Sequence, residues 1–183
     1  MLQHLPRAFG AALQGRRSGE NKLAIREVAP LAPLSLWVES PVFWEGGPIP
    51  RKYTADGEAL SPPLNWHGAP PETRCVALMI EDADAPTLRP LVHAIAPRLP
   101  AEGELEEGAL SARVETGRNS YLMHGYLAPD PPPAHGPHRY AFELFALNEA
   151  PLAPEKFGRG DLAEWMEDKV IAKGCLIGTY ERA

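Results

Sequence analysis

Several side chains able to hold a proton or an anion sit where apolar runs of this chain begin or end. Asp82 and Asp84 close VALMIEDAD, His93 lies inside LVHAIAP, and His138 and Tyr140 open the run that continues as AFELFALN. Strand ends converge on one rim of a sandwich, so these residues can share a pocket. Imidazoles, a phenol and loop N–H groups supply donors, while a carboxylate can orient a histidine and keep it charged. Such a set suits a small anion, particularly a phosphate. Each residue also has a plain structural reading. A lone strand histidine such as His93 is often a satisfied core residue, and Asp82 and Asp84 before Ala85–Pro86 can be turn formers. His135 reads as a solvated loop residue. A metal held by two histidines and an aspartate is the lesser alternative, because the spacings match no strong template. G-x-S-x-G, S-x-x-K, H-E-x-x-H and glycine-rich phosphate loops are absent.

Something must position these groups. PDPPPAHGPHRY (129–140) crowds prolines immediately before His138 and Tyr140. Proline fixes φ and lowers the entropy cost of holding one loop shape. Strands are expected at 34–40, 76–84, 91–97, 140–148 and 175–182, with 140–148 central because it is apolar on both faces. The acidic stretch 101–120 reads as surface loop. A helix is expected from Asp161, with Glu164 completing a capping-box-like start, Leu162, Trp165, Met166, Lys169 and Val170 on one face, and Gly174 as its stop. Leu2, Leu5, Phe9, Ala12 and Leu13 fall at helical spacing and predict a short N-terminal helix, followed by a linker at 30–33.

The chain has 183 residues, 44% hydrophobic and 23% charged, enough for one domain with a real core. Its 21 prolines and 16 glycines separate apolar runs without a period, which favours a β-rich, loop-rich domain over low-complexity disorder. Cys75 and Cys175 lie within apolar runs and are expected as buried free thiols. Without a signal-peptide core or a membrane-length apolar stretch, the expected location is cytoplasmic. The net charge of -6 is uneven: residues 1–26 carry five basic residues against Glu20 alone. An acidic body argues against nucleic acid as a partner. The basic arm is expected to dock on its own domain or on a second subunit, making a homodimer one option.

The blocks, in order, resemble the phosphatidylethanolamine-binding protein family, including its bacterial Raf-kinase-inhibitor-like branch. IPRKYTADGEALSPPLNWHGAPPET resembles the family's entry segment, LMIEDADAP its D-P-D-x-P motif and LVHAI its histidine strand. PDPPPAHGPHRY resembles its G-x-x-H-R-Y loop and GTYER its C-terminal end. The resemblance covers roughly 34–182 and implies a mainly β fold, one antiparallel β-sandwich with one helix before the last strand. The helical arm and linker read from spacing occupy 1–30, outside the resemblance, and the β domain is taken as 31–183. The resemblance also implies a small anion pocket using Asp82, His93, His138 and Tyr140. Pro131 and Pro132 would form a wall, Tyr180 a gate, and Asp84 would brace the adjoining loop. Ala83, Ala94, Asp130 and Lys169 depart from the family pattern; Ala94 would reshape the pocket, and Asp130 would repel a dianion if it points inward.

The expected function is non-catalytic binding of a small anionic ligand, such as phosphate, phosphorylethanolamine or a nucleotide, without a cofactor. Kinase or protease targets enter through the resemblance. The alternative is a hydrolase using His138 as general acid–base on a phosphoester or carboxyl substrate. A third reading makes the arm a dimerisation or docking scaffold.

Overall fold

A computed structural model of the chain describes residues 6–151 and 156–182. Two antiparallel sheets form the body. The larger orders its strands β4 (Leu91–Leu99), β3 (Cys75–Asp82), β6 (His138–Leu147) and β7 (Val170–Tyr180). The smaller orders β1 (Trp37–Glu39), β2 (Leu64–His67) and β5 (Gly103–Leu105). The expected antiparallel, mainly β fold with few helices is what forms.

Strand β6 lies between β3 and β7, and alternation along it explains why it carries apolar residues on both faces. Tyr140, Phe142, Leu144 and Ala146 face the smaller sheet and pack with Leu78, Ile80, Trp66 and Leu176. Ala141, Phe145 and Leu147 face the other way, onto Leu23, Ile25, Met79, Leu162 and Met166. Both faces are covered, so each is mainly apolar.

The outer cover is supplied partly by the N-terminal segment, through α2 (Ala24–Glu27). Two buried acids fasten it. Glu81 accepts from the Ala24 amide at 2.6 Å and from Arg159 Nε at 2.6 Å, and Glu143 accepts from the Ile25 amide at 3.2 Å. Lys173 Nζ donates to the Ile25 and Ala29 carbonyls at 3.1 and 2.9 Å. Burial, reinforced by the Glu81 carboxylate, pushes the Glu143 carboxyl well above its ordinary range.

Four expectations need correction. The stretch 34–40 is not one strand: Lys173 exchanges hydrogen bonds with Pro33 and Leu36 at the large sheet's edge, and the chain then crosses to pair Trp37–Glu39 with β2. Residues 101–120 are not all surface loop, because Leu105, Ala109 and Leu110 are buried in β5 and α3 (Ala109–Ala112). Helix α4 spans only Arg159–Met166, with the Asp161 carboxylate accepting from the Gly158 amide at 2.8 Å. Val170 instead begins β7, and Gly174 sits inside that strand, where a Cβ would lie 2.4 Å from the Leu36 carbonyl oxygen. Only glycine admits that crossing. Finally, Cys175 is only half-buried, although Cys75 is buried and both thiols are free.

The N-terminal helix α1 covers Arg7–Leu13; Leu2 and Leu5 fall outside the described residues. Its docked residue is Gly10 rather than Phe9, which is 50% exposed. Among the described residues no helix is long and apolar enough to cross a membrane.

The two buried acids should respond oppositely to amide substitution. Glu81→Gln takes from Arg159 the buried carboxylate at its Nε, leaving the partly exposed Glu27 at Nη2 (3.1 Å), and should cost about 2–4 kcal/mol in urea unfolding. Burial raises the Glu143 pKa, so Glu143→Gln is a near-isostere of its protonated form and should stay within ~1 kcal/mol of wild type near pH 5. Because its folded pKa is raised, Glu143 favours the folded state below the unfolded carboxyl pKa and loses that advantage as pH rises. The glutamine variant should therefore gain on wild type from pH 5 to 8; a widening deficit would refute the assignment.

Candidate functional site

The ladder between β3 and β6 ends by pairing Asp82 with Tyr140, and β4 runs alongside with Leu91 opposite Asp82. This register brings the three strand ends together. A cavity of about 240 Å³ opens there, with Asp82, His93, His138, Asp130, Pro131 and Pro132 in its lining. Tyr121 and the turn Ala85–Thr87 also border it. A larger cavity of about 700 Å³ lies under the linker, but its buried cation, Lys173, already serves two carbonyls. The chemistry collects at the smaller one.

Asp82 orients His138: its Oδ2 lies 2.8 Å from His138 Nδ1, while its Oδ1 accepts from the Asp84 amide at 2.8 Å. Both residues are buried. A carboxylate only accepts, so His138 Nδ1 donates. His93 Nδ1 lies 2.5 Å from the Leu127 carbonyl, and its Nε2 is buried without a hydrogen-bond partner among the described residues. Burial lowers the His93 pKa, partly offset by the Asp82 charge and the Leu127 carbonyl. Tyr140 packs its ring edge-on to His93 at 5.1 Å and near-parallel to His138 at 6.4 Å. Its hydroxyl is likewise buried without a partner, and burial raises its pKa well above the ordinary phenol value. Tyr140 lies behind the histidines rather than in the cavity lining.

Tyr180 is also outside the lining. Its hydroxyl donates to Asp56 at 2.6 Å; Arg182 Nε binds the same carboxylate oxygen at 2.8 Å. Arg182 Nη1 continues to Asp130 at 2.7 Å and to the Pro131 carbonyl at 2.8 Å. Tyr180 thus belongs to a network that backs the proline wall. Asp130 does border the cavity, but its charge is paired with Arg182. Ala94 faces the core between the sheets and does not line the cavity.

The sequence reading of His135 fails. Its 1% exposure reflects a site beneath α1, with Nδ1 only 2.6 Å from His138 Nε2 and Nε2 2.8 Å from the Leu13 carbonyl. The helical spacing of the arm was the available signal, but nothing in it named His135 as the contact. Asp84 is a buried brace. It accepts from the Arg139 amide at 2.9 Å, from Arg139 Nε and Nη2 at 2.7 Å each, and from Arg17 Nη1 at 2.9 Å. Among the described residues no cluster of three or more His, Cys, Asp or Glu side chains is arranged to hold a metal.

Replacing Asp84 should disturb the site without touching its lining. Asp84→Ala removes several charge-assisted bonds and should cost about 2–4 kcal/mol in denaturant unfolding. The His138 imidazole signals should shift as Arg139 loses its anchor. Unmoved signals and unchanged stability would remove Asp84 from this role.

Comparison with known proteins agrees with the geometry. The family model described as phosphatidylethanolamine-binding protein matches residues 39–181. A UPF0098 protein of Methanothermobacter thermautotrophicus is 35% identical over 150 residues, covering 76% of this chain and 95% of that protein. A putative phosphatidylethanolamine-binding protein homolog from Chlamydia trachomatis superposes with a TM-score of 0.75 at 34% identity, covering 81% of this chain and 99% of that one. E. coli YbcL, a member of the mammalian family, gives a TM-score of 0.73 at 25% identity, with coverage of 81% and 99%. The paired sheets, the strand-end cavity and these matches place the chain in the phosphatidylethanolamine-binding protein family.

Proposed function

We propose that the strand-end cavity binds a small phosphate-type anion and that the protein acts by holding this ligand rather than by converting it. The supporting observation is His93 Nε2, a buried nitrogen with no hydrogen-bond partner among the described residues, on a residue that lines the cavity. Such a group costs free energy unless something completes it. The Leu127 carbonyl can only accept, so Nδ1 of His93 carries a proton. Nε2 is then a lone pair in the neutral ring and a donor in the charged one. An anion gains from this nitrogen when the ring is protonated, or when the anion brings its own proton. Asp82, Pro131, Pro132 and His138 would shape the rest of the site, with Tyr140 supporting both imidazoles from behind.

Binding is favoured over hydrolysis because both His138 nitrogens are engaged, one with Asp82 and one with His135. A general base needs a free lone pair facing its substrate. A protein target is the finer reading. A carboxypeptidase Y inhibitor solved with its cognate proteinase has this fold at 19% identity and a TM-score of 0.53, a likeness that carries the fold alone.

Titration calorimetry with sulfate and phosphorylethanolamine, in wild type and His93→Ala, tests the proposal. One proton enters with the anion, so sulfate affinity should rise about tenfold per pH unit as pH falls between the ring's bound and free pKa values. The free value lies below the ordinary imidazole range because burial disfavours the charge. Phosphorylethanolamine carries its own proton below about pH 6 and should plateau there while sulfate continues to tighten. His93→Ala should flatten the sulfate profile. Absence of binding by either anion at pH 5.5 to folded wild type would discard the reading.

A further inference from the structure

The family match begins at residue 39, so α1 and the segment after it lie outside the matched region. That segment nevertheless holds both loops that build the cavity. On one side, the Ser18 and Gly19 amides donate to the Ala85 and Ala83 carbonyls, each at 2.9 Å. On the other, a Cβ at Gly10 would lie 2.0 Å from the Pro133 oxygen, so helix and proline loop meet backbone to backbone. Gln14 Nε2 donates to the Ala134 carbonyl at 2.7 Å, and Arg17 Nη1 to the Pro137 carbonyl at 2.9 Å. His135 lies between these contacts, flanked by positive φ at Ala134 (61°) and Gly136 (93°).

The contact of His135 with His138 imposes a proton count. The Leu13 carbonyl only accepts, so His135 Nε2 donates; the Asp82 carboxylate only accepts, so His138 Nδ1 donates. With both rings neutral, the remaining nitrogens, His135 Nδ1 and His138 Nε2, would be two lone pairs facing each other at 2.6 Å. With both rings charged they would be two N–H groups in collision. One extra proton, shared by the pair, makes the contact a charge-assisted hydrogen bond. A carboxylate faces His138 at 2.8 Å while only a carbonyl faces His135 Nε2, and burial disfavours charge on His135, so His135 Nδ1 is placed as the acceptor. The other ionisable groups around the pair are His93 on β4, Tyr140 on β6, Asp130 before the proline run and Arg17 after α1. Burial disfavours the charged form of His93, and Asp130 and Arg17 are paired with Arg182 and Asp84.

We propose that α1 is a proton-dependent latch on the cavity: the proton shared by His135 and His138 ties the Leu13 carbonyl to the Asp82–His138 pair, and an anion that takes the His138 Nε2 proton releases the helix. Only the anion half rests on the function proposed above. Both ring nitrogens of His138 are engaged, so a ligand reaches this ring by displacing His135. Helix docking and anion binding at His138 are then mutually opposed, and each weakens the other by the same factor.

Hydrogen exchange of residues 7–17, corrected for intrinsic rates between pH 5 and 9, tests the latch without any ligand. Wild-type protection should peak at intermediate pH and fall about tenfold towards both ends, the worth of one charge-assisted hydrogen bond. His135→Gln can donate or accept through its amide and should dock α1 with no such peak. His135→Ala should leave α1 poorly protected throughout. A flat wild-type profile, or a glutamine profile that still peaks, would overturn the latch. Inorganic phosphate at the protection maximum should then lower α1 protection in wild type, and should bind His135→Ala about tenfold more tightly. Phosphate binding that leaves α1 unchanged would overturn the coupling. If phosphate binds neither protein, the anion reading fails, and the pH profile alone decides the latch.

Discussion

The last rung of the β3–β6 ladder sets Asp82 opposite Tyr140, and the carboxylate at this strand end accepts from His138 Nδ1 at 2.8 Å. The other parts of the cavity follow from that pairing. Oriented by Asp82, His138 directs Nε2 away from β3, and Tyr140 packs against both His138 and His93. Two residues further, Asp84 anchors Arg139 through its backbone and its guanidinium, so the chain leaving the proline loop enters β6 in one register only. A slip by one residue would turn every β6 side chain to the opposite face and place His138 outside the cavity.

How much of this could be read from the sequence depends on whether each signal was local. Alternation along β3 and β6 is a local pattern, so those strands and their central position are visible, as are the blocks resembling the family. The boundaries near β1 and β7 are not local. Leu36 and Lys173 bond because two distant segments cross at Gly174, and a glycine near a helical pattern looks like a helix stop. Val170 and Ile171 are β-branched and favour a strand, but the amphipathic run before them obscured where the helix ends. Leu105 and Leu110 are two apolar residues in an acidic stretch, too few to reveal β5 and α3.

At the cavity the same distinction separates what was visible from what was missed. Asp82, His93 and His138 close, occupy or open apolar runs, so strand register alone groups them. Tyr140 and Tyr180 have the right residue type, but neither lines the cavity: one hydroxyl is buried without a partner among the described residues, and the other donates to Asp56. His135 stood in a glycine- and proline-rich loop, where a polar side chain is ordinarily solvated. Its burial depends on a helix more than a hundred residues away in sequence. No local pattern encodes that contact.

The prolines answer a mechanical requirement. A loop that presents Pro131 and Pro132 as a wall and then turns through left-handed conformations at Ala134 and Gly136 has little backbone hydrogen bonding of its own to hold it. Proline restricts the unfolded alternatives, while the carbonyls it leaves exposed become acceptors for neighbouring segments. Arg182 uses the Pro131 carbonyl from one side, and Arg17 uses the Pro137 carbonyl from the other. The wall is therefore shaped by its own covalent geometry and fixed in place by two arginines, each also paired with a carboxylate beside the cavity. The negative charge of Asp130 and Asp84 is used to hold the loops that surround the cavity.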